Sequence, residues 1–564
     1  MRCAVGIDFG TESARALLLD CADGRELGVA VHQYENGVID ERLPAPDDDV
    51  VLGPDWALQD PLDYVRAVQQ TVPALLHDTG VAPADVVGIG IDFTSCTILP
   101  TLADGTPLCA VEDLRREPHA WVKLWKHHAA QPEADVINAV AEERGEPWLA
   151  RYGGRYSSEW FFSKALQILD EAPAVYRRAD RVLEAADWIV WQLTGVETRN
   201  ACTAGYKAMW SPDAGFPDRA FFAALDARFA NVVDEKMSRT LIPLGSRAGR
   251  LSAEAAAWTG LEPGTPVAAA NVDAHVSVPA VGVVEPGRLV AIMGTSTCHI
   301  LTGRELAFVP GMCGVVADGA LPGLYAYEAG QSAVGDILAW FVESVGTPHD
   351  VLSNRAAALH PGESGLLALD WWNGNRSVLV DGDLRGLLVG MSLATRPHEI
   401  YRALIEATAY GTRVIVDALE RGGVAVEDVV ACGGLPDRNP VVMQIYADVL
   451  GRAISVAGSG QAPALGAAMF GAVVAGEYAS IVDASRALAP PMREVYRPDP
   501  AATAVYDVLY GEYLRLHDLF GRGGDAVMPT LKRLQHDAKE AAGVEGEGAS
   551  RAGGSRRRSC ERAR

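Results

Sequence analysis

The chain predicts an α/β fold of two domains with a catalytic cleft between them, and three observations carry that expectation. It has 564 residues, too many for a single hydrophobic core. A short apolar run, a Gly-Thr turn and a second apolar run occur at residues 4–19 and again at 287–301, an internal repeat of one supersecondary unit. Elsewhere strand-like runs alternate with segments of helical period.

In order, residues 3–9, 14–20 and 27–34 read as strands, 61–77 as a helix and 86–93 as a further strand. The stretch 117–257 is rich in Trp and Arg and helical in period, as in Trp160 to Leu169, and reads as an insertion shaping a substrate pocket. The second copy of the strand, turn and strand unit follows a loop at 282–286, so the boundary is drawn there. Ile400, Leu404, Ile405, Ile415 and Leu419 set a helix over 398–421. A strand at 429–432 then leads through Gly433-Gly434 into a helix at 439–450, and the small-residue helix 462–475 suits close packing. The expected domains are therefore 1–284, with an insertion at about 115–257, and 285–535, followed by a disordered tail at 536–564.

A net charge of −24 repels nucleic acid and anionic membrane surfaces. The nine cysteines contain no Cys-x-x-Cys pair, so reduced thiols are expected rather than disulfides or zinc. No uninterrupted apolar run is long enough to span a bilayer, and Met1 leads straight into a strand; a cytoplasmic protein, monomeric or homodimeric, is expected.

The chemistry starts at Asp8. A carboxylate closes an apolar strand and is followed by Gly10 and Thr11, which reads as a phosphate cradle or, equally, as an ordinary hairpin. Gly10 admits close backbone approach, Thr11 offers donors, and Asp8 could hold Mg²⁺. Gly294 and Thr295 repeat the turn and would form the opposite wall for a polyphosphate. There is no P-loop, and Gly88 to Phe93 lacks the third glycine of a dinucleotide fingerprint. Asp273 follows a small-residue strand and reads either as a base for a hydroxyl proton or as a helix cap. Gly433, Gly434 and Asn439 form a glycine turn into a helix, which either meets a nucleotide or merely turns. Lys207, Glu328 and Gln331 are polar among apolar or small neighbours and could bond sugar hydroxyls, or lie on the surface. Trp371-Trp372 and the Trp121/Trp125 pair read as packing, and His275 and His299 as structural.

Together, Gly6 to Asp20, Asp92 to Thr97, Glu117 to Lys126, and Gly433 to Gly451 resemble the FGGY carbohydrate kinases of the actin-like ATPase superfamily, and within them the ribulokinase family. The resemblance spans nearly all of residues 3–520 and implies two RNase-H-like domains that close on a small-molecule sugar and ATP with Mg²⁺. It implies Asp273 as general base, Lys207, Glu328, Asp273 and Ser95 on the sugar, and Asp8 with Asp273 toward Mg²⁺. Gly10, Thr11, Gly294 and Thr295 would serve phosphate, with Gln331, Gly433, Gly434 and Asn439 counted on the nucleotide side. Ser95 stands where some relatives have a smaller residue, which bears on the preference among ketopentoses. A kinase for another ketose or polyol, an actin-like or chaperone-type ATPase, and a sugar sensor are the alternatives.

Overall fold

The computed structural model describes residues 1–44, 50–524, 526–535 and 537–538. The tail expected at 536–564 lies outside the described residues apart from 537 and 538.

The first apolar run is a strand, Cys3–Phe9, buried along its whole length. It pairs antiparallel with Ser13–Asp20 and parallel with Val86–Phe93. A strand buried on both faces needs continuous apolar side chains rather than alternation, which is what these runs have. The sheet runs Glu26–Gln33, Ser13–Asp20, Cys3–Phe9, Val86–Phe93, Pro266–Ala268, Arg247–Arg250, with Asn271–Val272 also on Val86–Phe93. The second sheet repeats the plan. Arg288–Met293 pairs antiparallel with Thr297–Gly303 and parallel with Asp428–Cys432, which in turn pairs with Ile454–Val456. Tyr325–Gln331 takes the third place of the meander.

Helix Ala462–Ala475 lies in sequence between two strands of the second sheet, Ile454–Val456 and Glu494–Tyr496, but packs on the first. A methyl group at Gly90 would stand 1.8 Å from the carbonyl oxygen of Ala467, and one at Gly6 would stand 1.9 Å from that of Ala464. Backbone touches backbone there, so only glycine fits the strand side and small residues the helix side. Helix Asp273–Ala280 packs against the same helix, and Gly466 lies against the carbonyl of Val276. The two sheets are thus joined through a pair of small-residue helices, one from each half of the chain.

The stretch 117–257 is less uniformly helical than its period suggests. Val122–Lys123 and Arg181–Glu184 are strands of a four-stranded sheet with Leu58–Gln59 and Ile98–Thr101, and Arg247–Arg250 already belongs to the main sheet. Strands of two to four residues leave no readable period. Trp148, Tyr152, Tyr156 and Trp160 pack ring on ring at the centre of this region. Among the described residues no helix is long and apolar enough to cross a membrane.

Candidate active site

Three carboxylates gather where parallel strands of the first sheet end. Register places Asp8 beside Asp92, and Asp92 beside Asn271, two residues before Asp273. Asp8 is nearly fully buried, with Arg15 Nη1 3.3 Å from Oδ2. Burial raises its carboxyl, and Arg15 opposes that rise. Asp92 is fully buried and neither of its oxygens has a hydrogen-bond partner among the described residues. Burial, then the charges of Asp8 and Asp273, keep it well above the usual carboxylate range.

Asp273 is the one half-buried residue in the otherwise buried run 271–280. It is the first residue of helix Asp273–Ala280, whose N-cap is Val272, so it is not the cap; its Oδ1 accepts from the N–H of Ala274 at 2.6 Å. Burial, then Asp8, push its carboxyl up to about 7. A carboxylate poised there can take a hydroxyl proton near neutrality.

Beside Asp273 lies the buried pair Lys207–Glu328, with Nζ to Oε1 at 2.7 Å. Lys207 ends the helix Ala201–Lys207. The hydroxyls of Tyr152 and Tyr156 donate to the carbonyls of Gly205 and Lys207 at 2.7 and 2.6 Å, fixing that last turn from below. Glu328 comes from the strand Tyr325–Gln331, so the pair joins the two halves of the chain. Burial opposes charge on Glu328, but Lys207 and then His275 outweigh it and hold the carboxyl low. The ring of Trp160 lies 5.4 Å from the Lys207 ammonium.

The two Gly-Thr turns share one device. Gly10 N–H donates to the Ser13 carbonyl at 3.0 Å, and Gly294 N–H to that of Ser296 at 2.9 Å. The first turn is half-buried, while Gly294 and Thr295 are exposed. The N–H groups of Val334 and Gly335 donate to the carbonyls of Thr295 and Gly294, so the helix Gly335–Val345 begins on the second turn. The N–H groups of that helix start are thereby aimed at the turn. By register Ile292 and Cys432 stand where the first sheet has Asp8 and Asp92, so only one half carries the carboxylates.

Gly433 has φ +97°, and a methyl group there would stand 2.5 Å from the Met293 carbonyl oxygen. The Gly433-Gly434 turn therefore abuts the strand leading into Gly294. Asn439 caps helix Pro440–Leu450, its Oδ1 accepting from Ser353 Oγ at 3.0 Å. Ser95 is half-exposed in the loop between Phe93 and Ile98.

One expectation needs correction. The Gln331 side chain is buried, its Nε2 donates to Asp370 and to the Thr408 carbonyl, and its Oε1 accepts from Thr412 at 2.7 Å. Both amide hydrogens and one lone pair of the oxygen tie the strand to Asp370 and helix Pro397–Arg421, so the side chain is turned into the core.

Other residues meet the site residues although the sequence did not assign them to the site. Trp125 is not simply packing: its Nε1 donates to Thr11 Oγ1 at 3.0 Å, and the Arg376 guanidinium lies 5.1 Å from its ring. Arg376 also reaches both oxygens of Glu159 at 3.0 and 3.1 Å, bridging the halves a second time. Asp92 had a legible signal, since Gly-Ile-Asp-Phe occurs at 6–9 and again at 90–93. Those tetrapeptides lie in register, with Phe9 and Phe93 stacked at 4.9 Å. Glu159 and Arg376 had none, because their partners are remote in sequence. Trp371 is buried in the core, and the fully buried His275 and His299 are pushed down to about 4 and about 3 by burial, as structural histidines are.

Mg²⁺ that arrives with a nucleotide needs only one or two carboxylates, with water and phosphate completing its shell. Among the described residues no group of three or more His, Cys, Asp or Glu side chains could hold a metal ion alone. Asp8 and Asp273 at one strand edge, with the unpartnered oxygens of Asp92 beside them, fit an ion of the first kind.

Comparison with known proteins agrees with this geometry. Residues 3–280 match the N-terminal domain, and 289–475 the C-terminal domain, of the FGGY family of carbohydrate kinases. A ribulokinase of Geobacillus thermodenitrificans is 54% identical over 95% of this chain and 98% of its own length. One of Mycolicibacterium smegmatis is 51% identical over 94% of this chain and 95% of its own. Among solved structures, a xylulose kinase from Rhodospirillum rubrum superposes with TM-score 0.74 at 26% identity, covering 92% of this chain and 98% of that one. A ligand-bound xylulose kinase from Lactobacillus acidophilus gives TM-score 0.77 at 17% identity, covering 93% and 99%, a likeness of fold. With both domains matched and relatives more than half identical over nearly the whole chain, the chain belongs to the FGGY family of carbohydrate kinases.

Proposed function

We propose that this chain transfers the γ-phosphoryl group of ATP to L-ribulose, forming L-ribulose 5-phosphate and ADP in L-arabinose catabolism. The observation that carries the reading is Asp273, half-buried beside the Lys207–Glu328 pair, in a chain 54% identical to a ribulokinase. Phosphoryl transfer asks the protein mainly to position groups and balance charge. The sugar's O5–H faces Asp273, which takes the proton as the oxygen attacks phosphorus; the bond from phosphorus to the β-γ bridging oxygen breaks, and ADP leaves. Lys207 and Glu328 hold the other hydroxyls, with the loop at Ser95 lining the sugar. Thr11 and the amides at Gly10, Gly294 and Thr295 cradle phosphate oxygens, and the turn at Gly433-Gly434 with Asn439 serves the nucleoside end. Bound Mg²⁺ supplies charge neutralisation on the phosphates, with Asp8 and Asp273 as the residues that would hold it.

An ADP-release assay across L-ribulose, D-ribulose, ribitol, L-xylulose and glycerol tests the reading, with the highest kcat/KM expected for L-ribulose. Turnover of neither ribulose overturns it. The same assay without sugar reads the filament or chaperone alternative, for which sugar-independent hydrolysis would be the sign.

A further inference from the structure

Helix Phe161–Glu171 carries a lysine that the transfer chemistry leaves unused. Lys164 is fully buried, and an amine is taken from water only when its donors are met. Its Nζ donates to the carbonyl of Cys96 at 2.6 Å and to that of Leu124 at 2.7 Å. These carbonyls belong to two separate loops of the cleft.

The first loop contains Ser95. Within it Cys96 has φ +59°, a left-handed conformation that a residue with a Cβ holds only when its surroundings impose it. Other ties in the loop are the N–H of Thr94 on the Phe9 carbonyl at 3.2 Å, Thr94 Oγ1 with Thr97 Oγ1 at 2.9 Å, Cys96 Sγ with Ser95 Oγ at 3.8 Å, and the N–H of Ala185 on the Thr97 carbonyl at 2.6 Å. The lysine bond, on the Cys96 carbonyl, falls at the strained residue. The second loop passes from Leu124 into Trp125, which donates to Thr11 and lies under Arg376. One ammonium therefore joins the loop on the sugar side to the loop that touches the first phosphate turn. A side chain of similar length with no donor would leave the Cys96 carbonyl without its lysine donor and the Leu124 carbonyl with only the His127 N–H at 3.0 Å.

We propose that Lys164 is a positioning residue for sugar recognition, holding the Ser95 and Trp125 loops in fixed relation so that the acceptor hydroxyl is presented to Asp273. The proposal rests on the reading of Ser95 and Asp273 as sugar-side residues. It weighs more on the sugar than on ATP, because Gly294, Gly433 and Asn439 lie in the other half of the chain and only the Gly10-Thr11 turn, through Trp125, adjoins the loops that the lysine holds.

The test compares wild type with Lys164→Met and Lys164→Gln, after the wild-type sugar panel has named the acceptor. In Lys164→Met the sugar KM is expected to rise tenfold or more while the ATP KM stays within twofold, and the preference for L-ribulose over D-ribulose to fall. Lys164→Gln, with an amide donor for one carbonyl, should recover part of the sugar KM. A crystal structure of either variant should show Cys96 out of the positive-φ region, a readout independent of turnover. Sugar and ATP KM values moving together overturn the proposal, as does a lowered Tm with unchanged sugar KM and preference. If neither variant folds, the lysine is structural and the proposal falls. If wild type turns over no pentulose, the assigned function fails, and Cys96 decides the matter alone: unmoved, it overturns the positioning role; displaced, it sustains the loop-holding part.

Discussion

Lys207 and Glu328 lie 121 residues apart and meet in a 2.7 Å ion pair, both buried, across the two halves of the chain. Taking one partner away leaves a charge in the interior without its ion-pair partner, a loss of about 3–5 kcal/mol. Lys207→Met should destabilise by that order, and the double variant Lys207→Met/Glu328→Gln should regain a substantial part. Denaturant unfolding of the two proteins checks this; equal loss in both would mean that the pair is not coupled.

Asp273 has its carboxyl at about 7 because it is buried and then because Asp8 lies close. As the base it works deprotonated, so kcat/KM should fall as pH drops below about 7. Asp273→Asn should cut kcat by about 10²–10⁴, with nucleotide affinity by calorimetry unchanged. Turnover close to that of wild type would remove Asp273 from the proton transfer.

Asp8, held by Arg15, is expected to act on the nucleotide through Mg²⁺. Calorimetric binding of ADP with and without Mg²⁺ should show a metal-dependent gain in wild type that Asp8→Ala loses. The same gain in both proteins would take Asp8 out of the site.

Gly90 faces the carbonyl of Ala467 so closely that an added methyl would lie 1.8 Å from it. Both sides are backbone, so no side chain can move aside, and overpacking of this kind costs about 3 kcal/mol or more. Gly90→Ala should therefore yield protein with a Tm lowered by several degrees or more, or none folded. An unchanged melting curve would contradict the helix-on-sheet packing.

Glu184 is buried, and burial followed by the charge of Asp187 pushes its carboxyl up to about 8 from 4.5. Unfolding then releases a proton between those two values, so stability is fully present below about 4.5 and is lost as pH rises toward about 8. Glu184→Gln removes that slope of up to about 1.4 kcal/mol per pH unit. The variant should show a flatter Tm profile from pH 5 to 8; parallel profiles would place the titration elsewhere.

Much of the site was legible because its parts lie within single runs. Asp8 with Gly10 and Thr11, Gly294 with Thr295, and Gly433 with Gly434 each combine a strand end with a glycine turn, of which Gly433 alone, at φ +97°, requires glycine. Gln331 misled because its polar side chain, set among small residues, gives the same local pattern whether it meets a ligand or, as here, Asp370, Thr408 and Thr412. Trp125 misled the other way, since an aromatic residue looks like core until its indole partner, 114 positions away, is known.

By itself the sequence determined the repeated strand, turn and strand unit, the apolar runs of the two sheets and the small residues of helix Ala462–Ala475. These follow from side-chain period and from the conformational freedom of glycine, both local properties. Only the tertiary structure decided that this helix packs on the first sheet, that Asp92 stands beside Asp8, and that Lys164 and the Lys207–Glu328 and Glu159–Arg376 pairs tie distant segments together. Those relations depend on charges and backbone surfaces that meet only after distant segments pack, where burial and the partner charge together set each group's energy and proton affinity.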